Sequence, residues 1–91
     1  MMVLILERVT PSLRGELTRW LLEPKANVFV GRVTTMVRDK LWDKVEKSTR
    51  GRTAATLIYS SDNEQGFAIR QVGEPTRVVR DFEGLFLVTI P

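Results

Sequence analysis

Glu7 is the first residue in this chain whose position could support chemistry. The sequence contains no cysteine and no histidine, so thiol nucleophiles, zinc–thiolate sites and imidazole bases are excluded. Glu7 directly follows the apolar run from Val3 to Leu6, at the kind of strand end where α/β proteins build their sites. Proteins bind Mg²⁺ through one or two carboxylates and water, so two copies of Glu7 related by dimer symmetry could hold it. The alternative is a glutamate that is solvated or paired with an arginine such as Arg8.

Arg14 and Gly15 stand together in the first turns of a predicted helix. The helix dipole makes a cation there unfavourable by about 0.3–1 kcal/mol. Glycine costs roughly 1 kcal/mol relative to alanine inside a helix. Two local penalties side by side indicate either a phosphate-binding helix start or a solvated arginine beside a glycine that close packing requires. The net charge is +3 and ten of the fourteen basic residues are arginine, whose planar fork suits phosphate.

Most other charged candidates fall in predicted loops. The loop arginines are Arg50, Arg52, Arg77 and Arg80, and whether they join Arg14 on one surface depends on the fold. The loop carboxylates lack metal-ligand spacing and are interpreted as surface or partner contacts: Asp62, Glu64, Asp81 and Glu83. No strand carries the pattern of a base-stacking RNA-recognition strand. Any nucleic-acid binding is therefore expected to use the backbone and to depend strongly on salt.

Hydrophobic periodicity predicts the elements that must position these residues. Thr10 and Pro11 suit the start of a helix that buries Leu13, Leu17, Trp20 and Leu21 on one face and ends by about Leu22. A second helix is predicted over Thr34–Ser48, with an Asp43–Lys47 ion pair. Core positions are assigned to Trp20, Trp42 and Met36. The predicted strands are Val3–Leu6, Val28–Val30, Thr53–Ser60, Phe67–Val72 and Leu85–Ile90, with a charged excursion over Thr76–Gly84.

This order of elements predicts an α+β fold, a ferredoxin-like α/β sandwich formed by residues 1–91 as a single domain. Right-handed crossovers would place both helices on one face of a mainly antiparallel sheet. The first and last strands are apolar on both faces, so a homodimer is expected to cover the second face. The N-terminal MMVLIL run is too short to cross a bilayer and lacks the marks of a signal peptide, so a cytoplasmic location without membrane association is expected.

With these residues in view, the sequence resembles the small CRISPR-associated adaptation protein of the Cas-two family, in its subtype I-E form. The resemblance covers almost the whole chain. It is carried by the apolar first strand ending in Glu7 and by a specific LRG…WLLE…VFVG run, residues 13–15, 20–23 and 28–31. It continues through Pro11, Val33, Arg38, Leu41-Trp42, Glu64, Gly66-Phe67, Gly73, Asp81 and Gly84-Leu85.

The resemblance implies a homodimer that supports the central duplex of a double-stranded prespacer DNA. Arg14 and Arg77 match positions that grip the DNA backbone in the subtype, and Arg38 and Arg80 are assigned to the same nucleic-acid-binding set. Three basic positions of the family are replaced here, by Ser12, Met36 and Thr76. Arg32 or Arg80 is expected to compensate for part of the missing charge.

The resemblance also implies a partner, since the family dimer bridges two dimers of the CRISPR integrase, and the assembly inserts new spacers. Glu64 and Glu83 match acidic positions that contact the integrase. Residues 79–91 match a C-terminal docking strand, in which Leu85 and Val88 are assigned to the contact.

A metal-dependent endoribonuclease activity is a further implication of the resemblance. It is attributed to the acidic residue that ends the first strand, which is Glu7 here, although spacer acquisition in the subtype does not need it. Arg8 follows where a short polar residue is expected, and a cation there disfavours a metal ion. Two hypotheses stay open. One is a non-catalytic DNA-bridging scaffold that uses Arg14, Arg77 and the C-terminal strand. The other is a Mg²⁺-dependent endonuclease that cleaves RNA or DNA with a symmetric Glu7 pair.

Overall fold

Two helices and seven strands lie within the described part of the chain. The structure is a computed structural model that describes residues 1–50, 52–73, 78–82 and 85–89, the last two ranges by their backbone. In chain order the elements are β1 (Met2–Leu6), α1 (Pro11–Thr18), β2 (Leu22–Lys25), β3 (Val28–Gly31), α2 (Thr35–Thr49), β4 (Ala55–Ser60), β5 (Phe67–Val72), β6 (Val78–Phe82) and β7 (Leu85–Thr89).

Five of these strands form one sheet in the order β2-β3-β1-β4-β5, and every neighbouring pair is antiparallel. Each helix connects two strands that are parallel to each other and separated by one antiparallel strand. This is the ferredoxin-like arrangement, with β5 added at one edge, and it confirms the predicted fold class. Strand β2 was not predicted, because Glu23-Pro24 is also the pattern of a helix end. Proline is tolerated there because β2 is an edge strand.

Helix α1 begins as predicted and ends earlier than predicted. The Thr10 hydroxyl accepts a hydrogen bond from the Leu13 amide at 3.1 Å, and Pro11 takes the first helical position. The helix ends at Thr18, and the Trp20 and Leu21 amides both turn back to the Leu17 carbonyl. As a result Trp20 leaves the apolar face and is 54% exposed, so its predicted core position is wrong.

Helix α2 is close to its predicted span and begins with the Thr34 hydroxyl capping the Val37 amide at 3.2 Å. Its buried face includes Trp42, as predicted, whereas Met36 is 67% exposed and does not belong to the core. The predicted Asp43–Lys47 ion pair is present at 2.8 Å.

The two faces of the sheet differ. Met2, Leu4 and Leu6 of β1 are buried in one cluster with residues of α1 and α2, so both helices lie on one face, as predicted. The opposite face, called the open face here, carries an apolar row in register across the sheet: Leu22, Val30, Val3, Ile58 and Ile69. Ile5 on this face is 41% exposed, so in the single chain β1 is buried on one face rather than on both.

Strands β6 and β7 pair with each other as an antiparallel two-stranded sheet, with Val79 opposite Val88. The charged excursion predicted over Thr76–Gly84 therefore contains a strand, and the single predicted C-terminal strand is one half of a hairpin. None of the helices in the described ranges is long and apolar enough to cross a membrane.

Candidate nucleic-acid interface

Arg14 is held by two side chains from the β2–β3 hairpin. Its Nε lies 3.2 Å from Glu23 Oε1, and its Nη2 donates to Asn27 Oδ1 at 3.1 Å. The Arg14 side chain is 42% exposed and the Glu23 side chain 19%. A guanidinium has five N–H donors, and two are engaged here, so three remain available to a ligand. The arginine is thus oriented by its own fold while part of its donor fork faces solvent.

Asn27 connects this arginine to the end of β1. Its backbone lies in the left-handed region, with φ of 65°, and its amide donates to Glu23 Oε2 at 3.0 Å. Its side-chain Nδ2 donates to the backbone carbonyl of Glu7 at 3.2 Å. Arg14, Glu23, Asn27 and the Glu7 backbone therefore form one network, called the Arg14 network below.

Gly15 presents open surface next to Arg14. A Cβ built on Gly15 would meet no atom within 4 Å. The interpretation that close packing requires this glycine is therefore wrong. Because Gly15 has no side chain, the helix backbone beside Arg14 is uncovered, and a bulky ligand has room to approach it.

Glu7 is exposed at the end of β1, and both its backbone amide and its backbone carbonyl are hydrogen-bonded. Its amide donates to the Ala54 carbonyl at 2.9 Å, and its carbonyl accepts from Asn27. The carboxylate forms no ion pair with Arg8 or with any other side chain in the described part of the chain, which favours the solvated alternative. Residues 1–50, 52–73, 78–82 and 85–89 contain no cluster of three or more metal-ligating side chains.

Arg38 belongs to a second cluster, on α2, β4 and β5. Its guanidinium carbon lies 4.0 Å from the Tyr59 ring centroid, and that of Arg70 lies 5.0 Å from the same centroid. Asp39 Oδ1 bridges both arginines at 3.2 and 3.1 Å. Desolvation raises the pKa of the Asp39 carboxyl, but the hydrogen bonds and charges of Arg38 and Arg70 together outweigh it and hold this pKa below 3.8. The Arg38 side chain is only 15% exposed, so it is less available than Arg14.

Arg14 and Arg38 lie toward opposite ends of β3. Arg14 bonds Asn27, which directly precedes β3, whereas Arg38 lies in the first turn of α2, which follows Gly31 at the other end. The two ends are separated by four residues, or about 13 Å of strand. One chain therefore does not bring these two predicted site residues together. Tyr59 and Arg70 were not predicted as part of this cluster, because only the fold brings their strands against α2.

The remaining predicted site residues fall in two places. Glu64 is exposed in the β4–β5 turn, where Asn63 and Gly66 hydrogen-bond to each other. Arg80 lies on β6 opposite Leu87, and Leu85 and Val88 lie on β7. Arg77 and Glu83 lie outside the described residues.

One known family matches this chain over most of its length. Residues 1–87 match the family model described as "CRISPR-associated protein (Cas_Cas2CT1978)". The match spans the sheet, both helices, the Arg14 network and β6. The chain therefore belongs to this CRISPR-associated family of Cas-two proteins.

Proposed function

We propose that this protein is a scaffold of CRISPR adaptation that binds the backbone of double-stranded prespacer DNA and bridges two integrase dimers. The observation that carries the DNA-binding part is Arg14, held by Glu23 and Asn27 with three donors free and open surface at Gly15. A guanidinium fixed in this way binds phosphate with little loss of side-chain freedom.

Further cations support backbone binding at this end of β3. Arg8 and Lys25 are exposed and make no ion pair with the described residues. Contacts of this kind neutralise phosphates without reading bases, so affinity should fall steeply as salt concentration rises.

The open face supports a homodimer. The register places Leu22, Val30, Val3, Ile58 and Ile69 in one row that no helix of the described chain covers. A second copy that packs sheet on sheet would remove this apolar surface from water. We propose the homodimer through this face because the two basic ends of such a dimer could support one duplex together.

The C-terminal hairpin supports docking to the integrase. In the backbone described here, β6 and β7 pair with each other and with no third strand. A two-stranded sheet of this kind offers free edges to which a partner can add a strand. We place the integrase contact on this hairpin, at Leu85 and Val88, with Glu64 and Glu83 as acidic contacts.

In vitro prespacer integration with the cognate integrase tests this function. We expect Arg14→Ala to lose integration, with a loss that grows as salt rises. Lys40→Ala is the matched control, because it removes one exposed positive charge from α2 that forms no ion pair with the residues that the structure describes. A truncation before Leu85 should abolish assembly with the integrase while leaving DNA binding by the dimer intact. Normal integration by Arg14→Ala at elevated salt would contradict the proposed role of Arg14.

A Mg²⁺-dependent endonuclease is the second candidate, favoured by the exposed Glu7 carboxylate on its fixed backbone. Two copies of Glu7 would hold the ion, which when bound would activate water and offset charge on the phosphate. Glu7→Ala separates the two candidates. It should abolish Mg²⁺-dependent cleavage of RNA or DNA if this activity is real, and leave integration unchanged if the scaffold role is correct. If a folded Glu7→Ala dimer lost integration, the Glu7 carboxylate would be functional, and the endonuclease would become the first candidate in place of the scaffold.

A further inference from the structure

A groove at the Gly31 end of β3 is not used by the proposed function. It has a volume of about 480 Å³ and is lined by Arg19, Trp20, Arg32, Val33, Thr34 and Val37. We call it the Trp20 groove. It lies between the end of α1, the end of β3 and the start of α2, whereas the Arg14 network lies at the Asn27 end of β3.

The fold holds Trp20 outward on a fixed backbone. Leu21 beside it is only 4% exposed, and both amides bond the Leu17 carbonyl. Gly31 lets this turn pack closely against β3, since a Cβ there would lie 3.3 Å from the Trp20 carbonyl and 2.7 Å from Leu21 Cδ2. Trp20 as a whole residue is 54% exposed. A large aromatic side chain is therefore displayed on a rigid support, so ordering it on a ligand costs little entropy.

The charge of the Trp20 groove is entirely positive. Arg19 and Arg32 are both exposed and form no ion pair within the described part of the chain, and no carboxylate lines the groove. The Thr34 hydroxyl accepts a hydrogen bond from the Val37 amide and carries no charge. The groove therefore offers a flat π surface and two free guanidinium groups.

We propose that the Trp20 groove binds an unpaired nucleotide of a single-stranded nucleic acid. Its base would stack on the Trp20 indole, and the flanking phosphates would contact Arg19 and Arg32. An unpaired base is required because the faces of bases inside a duplex are covered by their neighbours. An acidic peptide would match the charge but would leave the indole face unused. This proposal does not rest on duplex binding by Arg14, which lies at the other end of β3.

Fluorescence titration of the full chain tests the proposal, because Trp20 is exposed and Trp42 is buried. A single-stranded thymidine oligonucleotide should quench the Trp20 emission, and a blunt duplex of equal length should not. Trp20→Ala should weaken binding of the single strand, measured by anisotropy, by about 5- to 150-fold. Binding of the duplex should be unchanged.

Matched variants separate the groove from general charge. Arg32→Ala should weaken single-strand binding and lower its salt slope by about 0.7, the effect of one phosphate contact. Arg52→Ala removes an exposed arginine outside the groove, and Met36→Ala removes an exposed apolar side chain outside it. Neither should reduce quenching. Native emission of Trp42 and unchanged circular dichroism establish that each variant is folded.

Three results would overturn the proposal. The first is an oligonucleotide that binds without quenching Trp20. The second is a folded Trp20→Ala protein with wild-type affinity for the single strand. The third is a polyglutamate peptide that quenches Trp20 as strongly as an oligonucleotide of equal charge, which would make the groove a site for acidic protein segments.

Discussion

The direction of the Arg14 side chain is set by its contacts with Glu23 and Asn27. Its contact with Glu23 is partly exposed, and pairs of this kind contribute about 0–1 kcal/mol to stability. The main effect of Glu23 and Asn27 is therefore on orientation, because they restrict a long side chain to one direction. The cost is that Glu23 offsets part of the positive charge. Arg14 is thus better suited to a geometric contact with phosphate than to attracting DNA from a distance.

Asn27 gives a prediction at this scale. Asn27→Ala should lower the free energy of unfolding by about 1–3 kcal/mol, because it removes two side-chain hydrogen bonds and because alanine tolerates the left-handed backbone, with φ of 65°, less well than asparagine. Asn27→Gly should cost about 1 kcal/mol less, because glycine accepts this backbone conformation. Urea unfolding measures both. Equal stability of the two variants would show that the left-handed backbone contributes nothing.

Asp39 gives a prediction on pH. Its folded-state pKa is lowered, so its contribution to stability is present above 3.8, the ordinary value, and is lost as pH falls through the lowered pKa. Asp39→Asn should therefore be less stable than wild type at neutral pH, and the difference should shrink below 3.8. Urea unfolding at both pH values measures this. Asp62→Asn is the control, because Asp62 is exposed and makes no ion pair in the described ranges. A difference that stays constant with pH would show that the charge of Asp39 is irrelevant.

Two glycines, one inside α1 and one at the end of β3, have opposite roles at the scale of the element. Gly15 lies in the helix with free space around it, whereas Gly31 lies where the turn after the helix meets β3. Periodicity could predict the helix but could not distinguish these two environments. Periodicity could not predict the early end of α1 either, because the helix ends at Thr18 so that the chain can turn into β2 at Leu22.

Substitution of these glycines gives the element-scale prediction. Gly15→Ala should raise the free energy of unfolding by about 0.5–1 kcal/mol, since alanine favours the helix and meets no neighbour. It should at the same time weaken duplex binding if DNA approaches the helix surface beside Arg14. Gly31→Ala should lower stability by about 1–3 kcal/mol, because its Cβ would crowd Leu21. Urea unfolding and duplex titration measure both effects. Unchanged duplex affinity of the more stable Gly15→Ala variant would mean that DNA does not approach here.

The open face dominates the behaviour expected of the whole molecule. Its apolar row crosses all five strands of the sheet and includes a residue from each. A continuous apolar row that no helix of the described ranges covers is typical of a protein–protein contact surface, and it supports the proposed homodimer.

Ile5 gives the whole-molecule prediction. Ile5→Glu should convert the proposed dimer to a monomer, because a buried carboxylate in a sheet-on-sheet interface would lack a partner. Ile5 is 41% exposed in the single chain, so the variant monomer should still fold. Met36→Glu is the matched control, as it places the same charge at a 67% exposed apolar side chain on α2. Light scattering coupled to size exclusion measures both masses. If the Ile5→Glu protein were still a dimer, the dimer interface would have to lie on a surface other than the open face.

Local patterns were sufficient for much of the fold. Thr10-Pro11 and Thr34 marked the helix starts, β3 and β5 were close to their predicted bounds, and the order of elements predicted the ferredoxin-like sheet. Capping and hydrophobic alternation act within a few residues, so they can be recognised without the rest of the chain. The missed strands, β2 and β6, contain proline or several charged residues, which these patterns assign to loops.

By itself, the sequence determined the excluded chemistry, the helix starts and the family resemblance, because these depend on residue types and short spacings. Only the tertiary structure decided which charges meet. Glu23 and Asn27 reach Arg14 across 9 and 13 residues, and Arg70 reaches Asp39 across 31. The structure also turned Trp20 outward and separated Arg14 from Arg38 along β3. Such contacts follow from the path of the chain through the sheet, and no local spacing encodes that path.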